Sequence, residues 1–277
     1  MVLEKIRYIL LSVTMAAIVS LAPSWLHAKD TLKIGGAGST LGTMKLLADA
    51  FEKRNPGIAV EVFPSLGSYG GIKAVAKGAV DIGLSGRPLT EEEQKHDIEI
   101  SEYAKSPFVL VVDNDATVSD ISTRDIIEIF SGKKTEWPDG TRVRPVLRPE
   151  TESDWLVLMQ LSPEMAQAMK TGLAKDGMLI AVTNQETMDM IAKVPGALAV
   201  STGAQIRSEK RSVKTLSLNG VAPSARNVAN GSYPFFKSSY IVVSRKSSPR
   251  VKKFLEFVGS PTGRSILEKA GNLPVER

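Results

Sequence analysis

From Thr31 onward the chain alternates short apolar runs with amphipathic ones, and this alternation constrains the fold more than any other feature. "TLKIGGAG" (Thr31 to Gly38) reads as a strand ending in glycines. Ser39 to Arg54 then places Met44, Leu47, Ala48 and Phe51 at the i, i+3, i+4, i+7 spacing of one helix face. Asn55-Pro56-Gly57 stops that helix. "IAVEVFPS" alternates apolar and polar residues with a period of two, as a strand does. A glycine turn (Gly67 to Gly71), a short helix (Ile72 to Lys77) and the strand "AVDIGLSG" follow. Strand, helix, strand, helix, strand calls for right-handed crossovers and a largely parallel sheet with helices on both faces.

A second set of elements repeats the theme. "PFVLVVDND" reads as a buried strand, and "STRDIIEIFSGK" as a helix with Ile126, Ile127 and Phe130 on one side, capped by Ser122 or Thr123. "VRPVLRPE" is a strand leading into a helix from about Ser153 to Leu161, followed by helices near Pro163 to Thr171 and Gln185 to Lys193 and the strand "ALAVST". The last third returns through "VKTLSLNG" and "SSYIVVSR" to two amphipathic helices ending at Ala270. A strand that leaves one sheet and another that comes back late predict an α/β protein of two lobes joined by a double-strand hinge, each lobe a mostly parallel sheet flanked by helices. Residues 29–108 and 225–277 are expected to form the first lobe and 109–224 the second. Ligands in such sheets sit beyond the carboxyl ends of the strands, where helix N-termini face a crevice.

The N-terminus reads as an export signal. Lys5 and Arg7 precede the apolar run Ile9 to Ala22, which is shorter than the roughly 20 residues a spanning helix needs. Cleavage is expected after Ala28, with Ser24 as the alternative, so residues 1–28 are the signal peptide. The chain has no Cys, which removes thiolate metal sites, iron–sulfur clusters, redox pairs, thiol nucleophiles and lipid attachment at the cleavage junction. A soluble exported protein without cysteine points to the periplasm. The net charge of +5 is small beside 35 basic and 30 acidic residues that intermingle along the chain, which argues against a nucleic-acid partner.

The strand-to-helix turns carry the candidate chemistry. The first is Gly35-Gly36-Ala37-Gly38-Ser39-Thr40, the second Gly67-Ser68-Tyr69-Gly70-Gly71, the third Ser85-Gly86-Arg87-Pro88. The fourth is Arg148 at a strand end, followed by Thr151-Glu152-Ser153-Asp154 at a helix start. Backbone N–H groups at helix starts carry partial positive charge and bind oxyanions without a lysine, so four such turns point to one oxyanion pocket. Taken singly, Ser39, Thr40, Ser153 and Asp154 also fit plain N-caps, and Arg148 fits an ion pair with Glu150 or Glu152. Leu41 stands where a dinucleotide fingerprint needs its last glycine, and no Walker loop is present.

The strings "GGAGST", "NPGIAVEVFPSLGSYGGIKAVAKGAVDIGLSGRPLTEEE", "IIEIFSGKKTEW", "LRPETESD", "VPGALAVSTG" and "GSYPFFKSSYIVV" occur in the order found in periplasmic phosphate-binding proteins of ABC transporters, and the chain resembles that family over essentially its whole mature length. The resemblance implies a two-lobed periplasmic binding protein-like fold of type II that closes over its ligand. It also implies a role as a monomer delivering phosphate, or a similar small anion, to an inner-membrane permease, with no cofactor, no metal and no catalysis. Matched residue by residue, Thr40 takes the place of the family's first phosphate contact, beside Gly38, Ser39 and Leu41, and Ser68 that of the serine in the second turn. Arg148 takes the family's arginine position.

Two departures touch the ligand. The family often has an Asp after the serine of the third turn, which accepts the proton of hydrogen phosphate, whereas Gly86 and then Arg87 follow Ser85 here. The family's Gly-Ser-Gly-Thr turn is replaced by Thr151-Glu152-Ser153-Asp154. Either Glu152 or Asp154 supplies the missing acceptor from the opposite lobe, with Arg87 as compensating charge, or both acids face water and the pocket selects differently. Other readings are a receptor for a different small anion, a sensory binding protein and a secreted phosphoester hydrolase. The hydrolase lacks its parts: His96 is the only histidine after the signal, in the acidic stretch "EEEQKHDIE", and neither HExxH nor Gly-x-Ser-x-Gly occurs.

Overall fold

Period-two runs and amphipathic runs become alternating strands and helices, described here from a computed structural model over residues 30–173 and 179–275. The expected signal segment, 1–28, lies outside the described residues. The first elements are β1 (Asp30–Gly36), α1 (Gly38–Arg54), β2 (Ile58–Val62), α2 (Gly67–Ala76) and β3 (Ile82–Ser85). A 3-10 turn at Glu93–Lys95 leads to β4 (Ile98–Val112). Next come β5 (Asp120–Ile121), α3 (Thr123–Phe130), β6 (Arg144–Leu147), α4 (Ser153–Met159), α5 (Pro163–Leu173), β7 (Leu179–Ile180), α6 (Asn184–Lys193) and β8 (Ala197–Thr202). The chain continues through α7 (Gly203–Ser208), β9 (Lys214–Thr215), β10 (Ser217–Leu218), α8 (Ala225–Ala229), β11 (Phe236–Ser244), α9 (Pro249–Gly259), α10 (Pro261–Lys269) and β12 (Leu273–Pro274).

One sheet runs in the order β2-β1-β3-β11-β4-β8-β6-β7. β1 pairs with β3, and β6 with both β7 and β8, in parallel. The parallel character expected of each half therefore holds for these strands, whereas the crossing strands are antiparallel to their neighbours. β4 is the spine. Its first part, through Pro107, pairs antiparallel with β11, and from Phe108 onward it pairs with β8. It is far longer than the "PFVLVVDND" strand read from sequence, because Ile98 to Ser106 belongs to it. The return crossing is made just before β11, where the Phe108 amide donates to the Phe235 carbonyl at 2.9 Å.

Each half has its own apolar core. On one side Leu32, Ile34, Met44, Phe51 and Ile82 pack with Phe254 and Phe257, the Phe51 and Phe254 rings meeting edge to face at 5.1 Å. On the other, Phe108, Leu110, Ile126, Phe130 and Trp155 pack with Tyr233 and Phe235. The Tyr233 hydroxyl donates to the Phe108 carbonyl at 2.8 Å, so the return segment is fixed to the second core. α3 starts with a capping box between Ser122 and Asp125, so of the two caps offered by the sequence it is Ser122 that serves. α2 starts five residues before the helix read from sequence, because the glycine turn is itself helical. Among the described residues no helix is long and apolar enough to cross a membrane.

Candidate functional site

Three helix starts meet where the two halves of the molecule touch. α1 begins after Ala37, α2 after Leu66 and α4 after Glu152, and at none of the three does a side chain cap the backbone N–H groups. Five other helices of this chain are capped by Ser122, Thr183, Thr202, Ser224 and Ser260, while α9 starts after Ser248 without a side-chain cap. The serines and threonines at the first group of starts therefore do something other than cap. Thr40 donates its hydroxyl to the Ala37 carbonyl at 2.8 Å, and the Ser39 hydroxyl is buried with no hydrogen-bond partner. An unmade hydrogen bond on a buried hydroxyl costs about 1–3 kcal/mol, so a polar group aimed there gains what the protein alone forgoes.

The sequence reaches this geometry by simple means. Gly67 has φ +67°, a conformation in which a β-carbon is strained, and it opens α2 in the space beside Glu152: a β-carbon there would lie 2.8 Å from Glu152 Oε1. Ser85 is fully buried and ties its own turn, accepting from the Arg87 amide at 3.2 Å and donating to the Arg87 carbonyl at 2.7 Å. That turn aims the Gly86 amide at Ser68 Oγ, 3.0 Å away. Ser68 Oγ in turn lies 3.4 Å from Ser153 Oγ, a contact between the start of α2 and the start of α4.

The charges at the junction are paired with one another, and all but the partly exposed Glu152 are buried. Arg148, 3% exposed at the end of β6, donates from Nη1 to the Ala181 carbonyl at 2.6 Å. It pairs through Nη2 with Glu152 at 3.1 Å and through Nε with Asp154 at 3.4 Å. Asp154, 1% exposed, also accepts from Asn184 Nδ2 at 2.8 Å and from the ammonium of Lys237. Burial alone pushes the Asp154 carboxyl up, but the charges of Lys237 and Arg148 outweigh it and hold the group below the usual carboxylate range. The Tyr103 hydroxyl lies near Thr40 and Ser239, and burial pushes its pKa up.

The structure thus joins Ser68, Gly86 and Ser153 by hydroxyl and amide contacts, Arg148, Glu152 and Asp154 by ion pairs, and Gly38 to these through Asn184, with Ser39 and Thr40 following Gly38 in the first turn of α1. Leu41 is buried in the first core and lines a groove of about 890 Å³ between the halves, together with Ser65, Gln185 and Glu209. A second groove of about 700 Å³ opens beside Gly86 and Ser153 toward Tyr233 and Tyr240. Arg87 also lines this second groove, but its charged head is turned elsewhere. Its guanidinium grips Glu93 in a fork of two 2.7 Å hydrogen bonds and also donates to the Pro88 carbonyl. That fork holds the Glu93 carboxyl below its ordinary value. The charge of Arg87 is thus matched by Glu93, and Asp154 does not face water.

Sequence reasoning missed Lys237, Asn184 and Gln185. Gln185 Nε2 donates to the Gly38 carbonyl at 3.0 Å, and Asn184 Oδ1 lies 2.9 Å from where a Gly38 β-carbon would be. Lys237 had a readable signal: it shares the period-two phase of Ser239, Ile241 and Val243, the buried face of β11. A lysine on a buried face must be paired.

A family model described as a PBP superfamily domain matches residues 22–262, most of the chain. The chain belongs to the PBP superfamily. Among curated relatives, the phosphate-binding protein PstS of Bacillus subtilis is 27% identical over 90% of this chain and 82% of its own length. Among solved structures, a Clostridium perfringens substrate-binding protein of the phosphate ABC transporter type, with bound phosphate, superposes with a TM-score of 0.77. That alignment has 21% identity and covers 89% of this chain and all of that one. An ABC-type phosphate transport receptor of Vibrio cholerae gives a TM-score of 0.62 at 21% identity, covering 87% of this chain and 99% of that one. The resemblance read from the sequence strings is borne out, and with it the two-lobed fold.

Proposed function

We propose that the protein is an exported solute receptor that closes its two lobes over a small oxyanion, with inorganic phosphate as the principal ligand, and hands it to an ABC transporter. One observation carries the reading: the uncapped starts of α2 in one lobe and α4 in the other meet through Ser68 and Ser153, the uncapped start of α1 is joined to the second lobe through Gly38 and Gln185, and the buried Ser39 hydroxyl at that start has no partner. Arg148 and Lys237 are balanced in number by Glu152 and Asp154, so the uncompensated potential comes from the helix starts, each worth roughly half a positive charge. That surplus favours an anion of one or two charges. In this reading Gly38, Ser39, Thr40, Ser68, Gly86 and Ser153 offer amides and hydroxyls, Arg148 anchors the second lobe, and Leu41 closes the apolar wall.

The relatives support phosphate through the names of PstS of Bacillus subtilis and of the phosphate-bound Clostridium perfringens protein. They support transport in the same way. A periplasmic monomer with its signal removed after residue 28 fits that role. The lobes in this reading follow the expected 29–108 with 225–277, and 109–224, except that the packing of Tyr233 and Phe235 with the second core favours a return at about residue 235 in place of 225. Binding without catalysis is supported by the position of His96, exposed beyond the 3-10 turn.

Micromolar affinity needs about −8.2 kcal/mol, and hydrogen bonds to charged groups contribute roughly 1.5–3 kcal/mol each, so a handful of contacts suffices. Calorimetric titration of ligand-stripped protein with phosphate is the test. A heat of binding with one site per chain is expected, and the absence of binding for every tetrahedral oxyanion would sink the reading.

A further inference from the structure

Lys237 enters the junction from the buried face of β11, and its surroundings bear on which oxyanion the pocket selects. A β-carbon at Gly86 would stand 2.5 Å from Lys237 Cε and 3.1 Å from its Nζ, and 2.6 Å from Ser153 Oγ. Any side chain at position 86, a carboxylate included, would displace the lysine head. Glycine at 86 and lysine at 237 are therefore one unit, and the ammonium and the Ser153 hydroxyl flank the space a side chain at 86 would fill.

Hydrogen phosphate and sulfate are alike in shape, size and, above neutral pH, charge. What separates them is a carboxylate that faces the ligand with its negative charge uncompensated: it accepts the proton of the first and repels the second. The carboxylates at this junction are engaged by the protein. Asp154 accepts from Lys237 on Oδ1 and from Asn184 and Arg148 on Oδ2, and the charge of Glu152 is matched by Arg148 through Oε2 while its Oε1 lies beside Gly67. Lys237 itself has donors and no acceptor.

We propose that Lys237, admitted by Gly86, is a ligand-contacting residue that makes this pocket accept fully ionised tetrahedral dianions such as sulfate alongside hydrogen phosphate. The inference rests on the oxyanion-receptor reading above. As the ligand enters, the ammonium shares its donors between Asp154 and an anion oxygen, and an oxygen without a proton is the better acceptor. A pocket with that donor in place does not require a protonated ligand.

The test is calorimetry of the ligand-stripped protein with phosphate and with sulfate separately, at about pH 8, where both carry close to two charges. The wild type is expected to bind the two within about thirtyfold of each other, and a larger preference for phosphate overturns the inference. Lys237→Met keeps the length of the stem and removes the donor, and it should weaken sulfate at least about tenfold more than phosphate. An unchanged ratio in a variant that still melts cooperatively also overturns it. The wild-type comparison needs no variant to fold. Failure of both anions to bind the wild type would overturn the oxyanion-receptor reading as well, which separates that failure from a loss of selectivity alone.

Discussion

Replacing Asp154 with asparagine removes the charge that holds Lys237 and Arg148 at the junction while nearly preserving shape. The carboxylate is 1% exposed and takes donors from Lys237, Arg148 and Asn184. Deleting one partner of a buried ion pair costs about 3–5 kcal/mol, and the carbonyl that asparagine retains puts the expected loss near the lower end, about 3 kcal/mol. For a chain of this size each kcal/mol moves the melting midpoint by about 2–4 °C, so the ligand-free midpoint should fall by about 6–12 °C at neutral pH. The acid limb supplies a second reading. Because Lys237 and Arg148 hold the folded pKa below its ordinary value, the stabilisation is fully present above the unfolded pKa of about 3.9. It is lost as pH falls through the lower folded value. Below about pH 4 the wild type should therefore lose midpoint more steeply than Asp154→Asn, and the two curves should converge. Calorimetric melts at neutral pH and across the acid range measure both effects. A variant midpoint within about 2 °C of wild type, with parallel acid profiles, would refute the idea that this ion pair holds the lobes together.

Arg148→Ala leaves Asp154 and Glu152 without their shared cation, and titration should show phosphate affinity reduced at least about hundredfold; unchanged affinity would remove Arg148 from the site. Ser39→Ala deletes a hydroxyl with no partner in the protein, so melting should show a stability change within about 0.5 kcal/mol, while titration shows phosphate weakened about tenfold. Glu93→Gln releases the Arg87 fork at a cost of about 1 kcal/mol in stability, with phosphate affinity changed less than about twofold; a larger affinity effect would bring Arg87 back into the site. Gly86→Ala forces a carbon against Lys237 and Ser153, and thermal melts should show a loss of about 1–3 kcal/mol.

The alternation that set the fold was legible because local periodicity reports directly on burial. Met44, Leu47 and Phe51 are buried on α1 as their spacing requires, and Ser122 caps α3. The glycine turns were legible for the same local reason, since a chain that must turn closely after a strand needs glycine there. The first part of β4 was missed because Glu99, Glu102 and Lys105 break its apolar pattern, and pairing with β11 overrides that local polarity.

Within the site, local pattern settled which residues stand at helix starts, and the strand ends settled where Arg148 stands. It left open which cation meets which carboxylate. Arg87, in the third turn, was expected to add compensating charge to the acids of the opposite lobe, yet its guanidinium turns back to Glu93, whereas Lys237 reaches Asp154 from 83 residues away. The sequence by itself determined the alternating α/β order, the glycine-bearing helix starts and the arginine at a strand end. Only the tertiary structure decided the charge pairing, because periodicity orients a side chain within its own element. Strand order and register alone set which element lies opposite, and Coulomb energy between buried groups depends on that distance.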